Sequence, residues 1–198
     1  LVTPSWLAFG AGYRDGKVRR FTKRALDLCA AAMLVALLWP IMLGAVVAIK
    51  LDEGRSAPVI YRQWRTGRGG KPFELMKFRS MRIDAEAAGS PQWATQSDPR
   101  VTRVGKFIRK SRIDELPQLF NVFNGEMSFV GPRPERPEFV AELQETIPFY
   151  AERHRVKPGV TGWAQLNYPY GASRDDTVEK LQYDLYYLKN QSFFLDII

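Results

Sequence analysis

The longest apolar segment of the sequence runs from Leu28 to Ile49, 22 residues without a charged side chain. As one α-helix it is about 33 Å long, enough to span the hydrocarbon core of a bilayer. Pro40 lies near its middle and is expected to bend the helix, because proline removes a backbone hydrogen bond and clashes with the preceding turn. Basic residues flank the segment on both sides, from Lys17 to Arg24 and again at Lys50.

Two membrane arrangements fit this segment. Because basic flanks favour the cytoplasmic side, a helix that enters the membrane, bends at Trp39-Pro40 and returns to the same face satisfies both flanks. A straight spanning helix with a mild kink is the alternative, since prolines are common in membrane helices. Cys29 lies inside the apolar segment and is expected to be a small core residue.

The segments that follow predict an α+β domain that is rich in helix. Residues 58–64 and 72–79 have the composition of short strands, and the glycine-rich residues 65–71 between them indicate a hairpin. The spacing of a phosphate-binding P-loop is absent from that turn. Residues 84–100 are polar and are expected to form a loop.

Three helices are predicted downstream of that loop. The first begins at Asp114 and Glu115, which suit the cap positions, with Pro117 in the first turn. The second covers residues 135–155 with an interruption near Pro148, and the third covers residues 175–190.

The net charge and the counts of cysteine and histidine limit the partners and the metal sites that this sequence can have. The net charge of +8 implies an anionic partner, which could be nucleic acid, a phosphorylated substrate or an anionic membrane face. With one cysteine and one histidine, an intrachain disulfide and a Cys/His zinc site are excluded. Any metal ion would therefore be held by oxygen, which favours Mg²⁺. His154, between two arginines, is expected to lie at a solvated helix end.

Asp114 and Glu115 are the candidates for chemistry, and they follow a run of basic residues that includes Arg109 and Arg112. One interpretation is a helix cap with ion pairs. The other is a phosphoryl-transfer site, where arginines bind phosphate and a carboxylate attacks phosphorus or holds Mg²⁺. The helix dipole is expected to favour the charged carboxylates, which suits a nucleophile or a metal ligand.

Several motifs, which follow one another from about Lys23 to Ile198, resemble those of the bacterial sugar transferases, the monotopic phosphoglycosyl transferases. They are Lys77-Phe-Arg-Ser-Met81, Arg109 followed by Asp114-Glu-Leu-Pro-Gln118, Asn121-Val122, Met127-Ser-Phe-Val-Gly-Pro-Arg-Pro134, Lys157-Pro-Gly-Val-Thr-Gly-Trp-Ala-Gln165 and Tyr183-Asp-Leu-Tyr-Tyr187. The longer stretch 166–174 is more similar to the catalytic domain of the large exopolysaccharide-initiating members, which carry a further N-terminal membrane region.

The resemblance implies a re-entrant membrane helix broken by a proline, which Pro40 matches. Residues 1–22 would then lead in from a missing N-terminal region, residues 23–52 would form the re-entrant helix, and residues 53–198 would be the catalytic domain. This domain would lie on the cytoplasmic face of the bacterial inner membrane. The sequence leaves the oligomeric state open, including a homo-oligomer.

The resemblance also implies a reaction, the transfer of a hexose-1-phosphate from a UDP-sugar to undecaprenyl phosphate with release of UMP. Asp114 matches the covalent nucleophile, and Glu115 would assist as Mg²⁺ ligand or as base. Which of the two holds the metal is left open. Phosphate-binding residues are expected among the basic side chains of the motifs, namely Lys77, Arg79, Arg109, Arg112, Arg133 and Lys157.

Two other functions compete with this reaction. A nucleic-acid-binding module would explain the positive charge and the interleaved aromatic residues, but it leaves the uncharged segment and the ordered motifs unexplained. A basic membrane-associated scaffold without catalysis is the second, and it predicts that replacement of Asp114 leaves activity unchanged. We therefore expect lipid bilayer, UDP-sugar and undecaprenyl phosphate as partners, and no nucleic acid.

Overall fold

The computed structural model describes residues 16–85, 98–168 and 174–197, so most of the predicted loop 84–100 lies outside the described residues. The chain forms two compact units. The first unit contains residues 16–30, Trp64–Phe73, 122–168 and 174–197. The second contains Ala31–Gln63 together with residues 74–85 and 98–121.

Helix α1 (Lys17–Glu53) is 37 residues long and contains the apolar segment. Within the described part of the chain it is the one helix long and apolar enough to cross a membrane. Many of its large apolar side chains are exposed, and its buried residues are Asp27, Ala31, Ala45 and Ile49. A helix that presents apolar side chains outward needs apolar surroundings, as a bilayer provides.

Two sequence expectations bear on α1. Cys29 is exposed, so the prediction that it is a core residue is wrong, because that part of α1 turns its apolar side chains outward. Helix α1 continues past Pro40 to Glu53, although Pro40 has no backbone N–H to donate. The re-entrant path therefore stays a prediction.

The predicted hairpin is confirmed. Strand β1 (Ile60–Thr66) pairs with β2 (Pro72–Phe78), and the amide of Gly67 donates to the carbonyl of Lys71 at 2.8 Å across the turn. Gly69 and Gly70 have φ angles of 67° and 76°, a backbone region that side chains with a Cβ rarely adopt. This explains the glycine-rich turn.

The core of the second unit joins α1 to helix α2 (Arg103–Lys110). Ile108 of α2 packs with Phe78 of β2 and with Ala45 and Ile49 of α1. The α2 N-terminus is capped by Thr102, whose hydroxyl accepts a hydrogen bond from the amide of Gly105 at 2.9 Å. A short 3₁₀ turn, Ile113–Glu115, follows, and helix α3 (Gln118–Asn124) comes after it.

The first unit is built on a parallel pair of short strands, β3 (Ser128–Val130) and β4 (Gly159–Thr161), with Ser128 opposite Gly159. Its helices are α4 (Pro137–Thr146), α5 (Trp163–Asn167), α6 (Arg174–Asn190) and α7 (Phe193–Ile197). Helices α4 and α6 share an apolar cluster that contains Val140, Leu181 and Leu185. The fold class is α+β, as predicted.

The predicted helix 135–155 is divided, as the proline indicated. Helix α4 ends at Thr146, Phe149 has a left-handed backbone (φ 63°), and residues Tyr150–Arg155 form a 3₁₀ helix. Helix α6 confirms the last predicted helix.

Candidate active site

Asp114 and Glu115 lie in the 3₁₀ turn that follows α2. Arg112, the residue before this turn, has φ 58° and ψ 14°, a left-handed conformation that is uncommon for a residue with a side chain. The reversal at Arg112 directs the chain back into the second unit. As a result Asp114 and Glu115 are only 8% and 9% exposed.

The expected charge state of Asp114 needs correction. The two carboxylates were predicted to cap a helix, but α3 begins at Gln118, beyond their separate turn. Burial raises the pKa of Asp114, and the nearby positive charges of Lys77, Arg109 and Arg112 oppose that rise only in part. The helix dipole therefore does not set the ionisation of Asp114.

Glu115 is held by two of the predicted basic residues. Its Oε1 lies 3.1 Å from Lys77 Nζ and 3.4 Å from Arg112 Nη1. These ion pairs bring strand β2 and the 3₁₀ turn together beside Asp114. Asp114 Oδ1 itself is buried and has no hydrogen-bond partner among the described residues. A buried acceptor without a partner is costly in a folded protein, so a water, an ion or a ligand is expected to complete this site.

Arg79, also predicted to bind substrate, contacts a different part of the second unit. Its Nε donates to the carbonyl of Pro58 at 2.9 Å, and its guanidinium lies 5.6 Å from the centre of the Tyr61 ring. These contacts fix the base of the hairpin. Arg79 thus contacts the hairpin, whereas Lys77 pairs with Glu115, and substrate binding by Arg79 stays a prediction.

Asn121 supports the carboxylate turn, and sequence reasoning gave it no role beyond a motif. Its side chain is fully buried, its Nδ2 donates to the carbonyl of Glu74 at 2.7 Å, and its Oδ1 accepts from the amide of Met76 at 3.0 Å. The amide thus pairs α3 with strand β2, which carries Lys77. An amide among the apolar residues of a short helix was the available signal, since buried polar groups need partners.

The other two predicted binding residues, Arg133 and Lys157, belong to the first unit. Arg133 is half-buried and stands between two prolines, three residues after the end of β3. The amide of Gly131 donates to the carbonyl of Thr161 at 3.0 Å. A Cβ at Gly131 would collide with the carbonyl of Lys157, so only glycine lets the two chains approach this closely.

Lys157 lies beside Gly125 at the end of α3. Arg24 donates to the carbonyl oxygens of Val122 and Phe123 there, which satisfies the C-terminus of that helix. Burial, and then the charge of Arg24, lower the pKa of Lys157. Lys157 is thus part of a cationic cluster at a helix end.

His154 is not at a solvated helix end, contrary to the expectation. Its side chain is buried, and neither ring nitrogen has a hydrogen-bond partner among the described residues. Burial and the adjacent charge of Arg153 lower its pKa to about 4. The 3₁₀ geometry of residues 150–155 turns this side chain inward, which an amphipathic α-helix pattern did not indicate.

Within the described ranges no cluster of three or more His, Cys, Asp or Glu side chains is placed to hold a metal ion. Asp114 and Glu115 offer two adjacent carboxylates, one with an unpartnered buried oxygen. Mg²⁺ is commonly bound by one or two carboxylates, with water and substrate phosphates completing its shell. The residues present fit such an ion.

Comparison with known proteins agrees with the motifs. A UDP-N-acetylgalactosamine-undecaprenyl-phosphate N-acetylgalactosaminephosphotransferase from Aeromonas hydrophila is 49% identical over 178 residues, 90% of this chain and 41% of the relative. Two UDP-glucose:undecaprenyl-phosphate glucose-1-phosphate transferases are each 44% identical. The one from Xanthomonas campestris pv. campestris matches over 88% of this chain and 36% of the relative, and the one from Escherichia coli (strain K12) over 91% and 39%.

The chain thus spans well under half the length of these curated relatives. The family described as bacterial sugar transferase matches residues 18–198, which include both units and nearly all of α1. Because this match covers almost the whole sequence and contains every motif singled out above, the chain belongs to the bacterial sugar transferase family.

Proposed function

We propose that this chain is the catalytic part of a phosphoglycosyl transferase that moves a hexose-1-phosphate from a UDP-sugar to undecaprenyl phosphate. The observation that carries the proposal is the buried Asp114, whose free Oδ1 lies in the field of Lys77, Arg109 and Arg112. The printed names of the relatives, which specify UDP-sugars and undecaprenyl phosphate, support the substrate class.

The chemistry has two displacement steps at one phosphorus atom. An oxygen of Asp114 attacks the phosphorus that carries the sugar, the bond to the bridging oxygen breaks, and UMP leaves with the electron pair. An oxygen of undecaprenyl phosphate then attacks the same phosphorus, and the bond to Asp114 breaks to restore the carboxylate. Splitting the transfer in this way is nucleophilic catalysis.

The surrounding cations have two tasks in this scheme. Asp114 must be ionised to attack, and Lys77, Arg109 and Arg112 oppose the rise in pKa that burial causes. They also offset the repulsion between a carboxylate and an anionic diphosphate. In the first unit, Arg133 and Lys157 are proposed to bind substrate phosphate groups.

We infer that Asp114, Glu115 or both hold Mg²⁺. The ion would supply positive charge at the diphosphate oxygens, where charge builds up during transfer. Glu115 also pairs with Lys77 and Arg112, which offset part of its negative charge.

We further propose that α1 anchors the chain as a re-entrant helix in the bacterial inner membrane, with the catalytic part on the cytoplasmic face. Its exposed apolar side chains and its two basic flanks support this placement. One substrate is soluble and the other is held in lipid, so the reaction requires a site at the membrane face.

A UMP-release assay tests the proposal. Detergent-solubilised protein is incubated with Mg²⁺, undecaprenyl phosphate and a panel of UDP-sugars, with Asp114→Asn in parallel. We expect UMP from one donor, no UMP from the variant, and loss of activity in chelator that added Mg²⁺ restores. Without acceptor, we expect a burst of about one UMP per protein, as a covalent intermediate requires.

Release that persists in Asp114→Asn would contradict the covalent mechanism. Full activity in chelator would contradict the role of Mg²⁺, and no release from any UDP-sugar would contradict the donor class. The exposed carboxylate of Asp84 gives a matched control, since Asp84→Asn is expected to leave the rate unchanged.

A further inference from the structure

We propose that Arg153, held by Asp184 and Tyr150, is a positioning residue for Arg133, and that it acts through the backbone carbonyl of Arg133. The proposal rests on the proposed function in one respect, namely that Arg133 binds a phosphate group of the donor. Nothing in the sequence motifs assigned a role to Arg153 or Tyr150.

The guanidinium of Arg153 donates hydrogen bonds to three different partners. Its Nη2 donates to the carbonyl of Arg133 at 2.9 Å, and its Nη1 donates to the hydroxyl of Tyr150 at 2.8 Å. On the third side its Nε and Nη2 lie 2.9 and 2.7 Å from Asp184 Oδ2. A planar fork with all its directions occupied can adopt only one orientation.

Burial argues for a function beyond stability. The side chains of Arg153 and Asp184 are only 7% and 3% exposed. Well-packed apolar residues stabilise a core at least as well as a buried ion pair does, because the charges lose their hydration. The ion pair with Asp184 holds the guanidinium of Arg153 in a fixed position, from which it donates a hydrogen bond to the carbonyl of Arg133.

The backbone around Arg133 is anchored at every carbonyl. The carbonyl of Pro132 accepts from the amide of Gly159 at 3.0 Å, and that of Arg133 accepts from Arg153 Nη2 at 2.9 Å. The carbonyl of Pro134 accepts from Arg65 Nη1 at 3.2 Å, and that of Glu135 accepts from the amide of Thr66 at 2.9 Å. Pro132 and Pro134 have fixed φ angles as well. The turn is therefore rigid, and its central residue is the one predicted to bind phosphate.

A rigid turn that carries a half-buried arginine is suited to binding an anionic group. An arginine whose backbone is fixed loses little further freedom on binding, so more of its attraction for phosphate appears as affinity. Small displacements of such a group are costly, since a shift of about 1 Å can reduce a rate roughly 100-fold. Of the four anchors, Arg153 acts at Arg133 itself.

The test is a double-mutant cycle with UDP as the probe. Titration calorimetry on the full chain in detergent measures the Kd for UDP with Mg²⁺ present. We compare Tyr150→Phe and Arg153→Lys, each alone and combined with Arg133→Ala. Tyr150→Phe removes one hydroxyl, and Arg153→Lys keeps the positive charge opposite Asp184 but loses the fork, so both variants preserve the buried pairing of charges.

We expect each single variant to raise the Kd for UDP by about 5-fold, the effect of one lost hydrogen bond. In the Arg133→Ala background the same changes should have no further effect, because they act through Arg133. Tyr186→Phe, the same substitution at an exposed tyrosine, should bind UDP normally. Thermal unfolding of each variant checks that it is folded.

Equal losses of affinity in both backgrounds would overturn the proposal, because a general structural role predicts that result. Unchanged UDP binding in Arg133→Ala, or no UDP binding at all, would also overturn it. UDP binding that follows the expected cycle while no UDP-sugar releases UMP would leave this inference standing and would defeat the proposed reaction.

Discussion

The carboxylate of Asp27 accepts a hydrogen bond from the hydroxyl of Ser128 at 3.0 Å, although the two residues are 101 positions apart. The same oxygen, Oδ1, accepts from the amide of Phe129 at 3.0 Å. Asp27 is the last charged residue before the apolar segment of α1, and Ser128 begins β3, the strand that leads to Arg133. This contact fixes the first part of α1 to β3, the strand that leads to the Arg133 turn, within the first unit.

Replacing Asp27 should therefore destabilise the first unit. Asp27→Ala leaves the Ser128 hydroxyl and the Phe129 amide without a partner, and each buried unsatisfied group costs about 1–3 kcal/mol. Asp27→Asn keeps an acceptor oxygen and should cost clearly less. Thermal unfolding in detergent measures the difference. Equal melting temperatures for wild type and Asp27→Ala would show that the contact is not important for stability.

Asp114→Asn should abolish activity and yet stabilise the protein at neutral pH. A carboxyl with a raised folded pKa stabilises the fold while it is protonated, an effect complete below its ordinary pKa of 3.8 and lost as pH rises through the folded pKa. Once ionised, the buried Asp114 thus works against folding. We expect a higher melting temperature for Asp114→Asn at pH 7 and a difference that closes below pH 4.

The same shift in pKa sets the acid limit of the reaction. UMP release should decline with falling pH at a higher pH than an ordinary aspartate would cause, because Asp114, the proposed nucleophile, must be ionised. Lys77→Met removes a charge that lowers the pKa of Asp114, so the acid limb should move to higher pH. Rates measured from pH 4 to 8 for the single turnover without acceptor report this limb. An unmoved limb in Lys77→Met would contradict the assignment.

His154 should remain neutral down to a pH near 4. Burial and Arg153 depress its pKa, so stability is present above pH 6.5 and is lost as pH falls through about 4, by up to about 3 kcal/mol. Since the chain has one histidine, its ring signals in an NMR titration need no assignment. A midpoint near 6.5 in the folded protein would contradict the buried environment. Protein unfolded in urea serves as the reference.

The path of α1 can be tested by cysteine labelling in inverted membrane vesicles. Starting from Cys29→Ser, single cysteines are placed at Lys17, the first residue of the helix, and at Gly54, the residue after its last. A re-entrant helix predicts that a membrane-impermeant maleimide labels both positions from the cytoplasmic face. Labelling of only one position from that face would establish a spanning helix.

Features set by neighbouring residues could be predicted from the sequence. The hairpin, the interruption near Pro148 and helix α6 each follow from local periodicity, glycine or proline. The two carboxylates could be singled out from the sequence as candidates, because Asp114 and Glu115 are adjacent in a family motif. Their burial could not be predicted, since it depends on the left-handed backbone at Arg112 and on strand β2, which is distant in sequence.

The supporting groups were missed for the same reason. Arg153 and Asp184 are 31 positions apart, and neither carries a local signal that a buried pair will form. The error at His154 has a similar cause, because a 3₁₀ helix places side chains at a different angle from the α-helix that was assumed. The error at Cys29 has the opposite direction. This residue was predicted to be buried because it lies in an apolar segment, but its side chain is exposed.

The left-handed conformation of Arg112 gives a test that separates backbone from side chain. A residue with a Cβ in this region costs about 1–2 kcal/mol relative to glycine. We therefore expect Arg112→Gly to be more stable than Arg112→Ala by about 1 kcal/mol, the reverse of the usual order in a helix. Both variants should lose activity, because both remove the charge 3.4 Å from Glu115 and near Asp114.

Lys106, an exposed residue inside α2, provides the matched control. There Lys106→Ala should be more stable than Lys106→Gly by about 1 kcal/mol, because glycine weakens a helix interior. Chemical denaturation of the four variants gives the free energies of unfolding. If alanine were the more stable residue at both positions, Arg112 would not be held in the left-handed region. The turn that buries Asp114 and Glu115 would then need a different explanation.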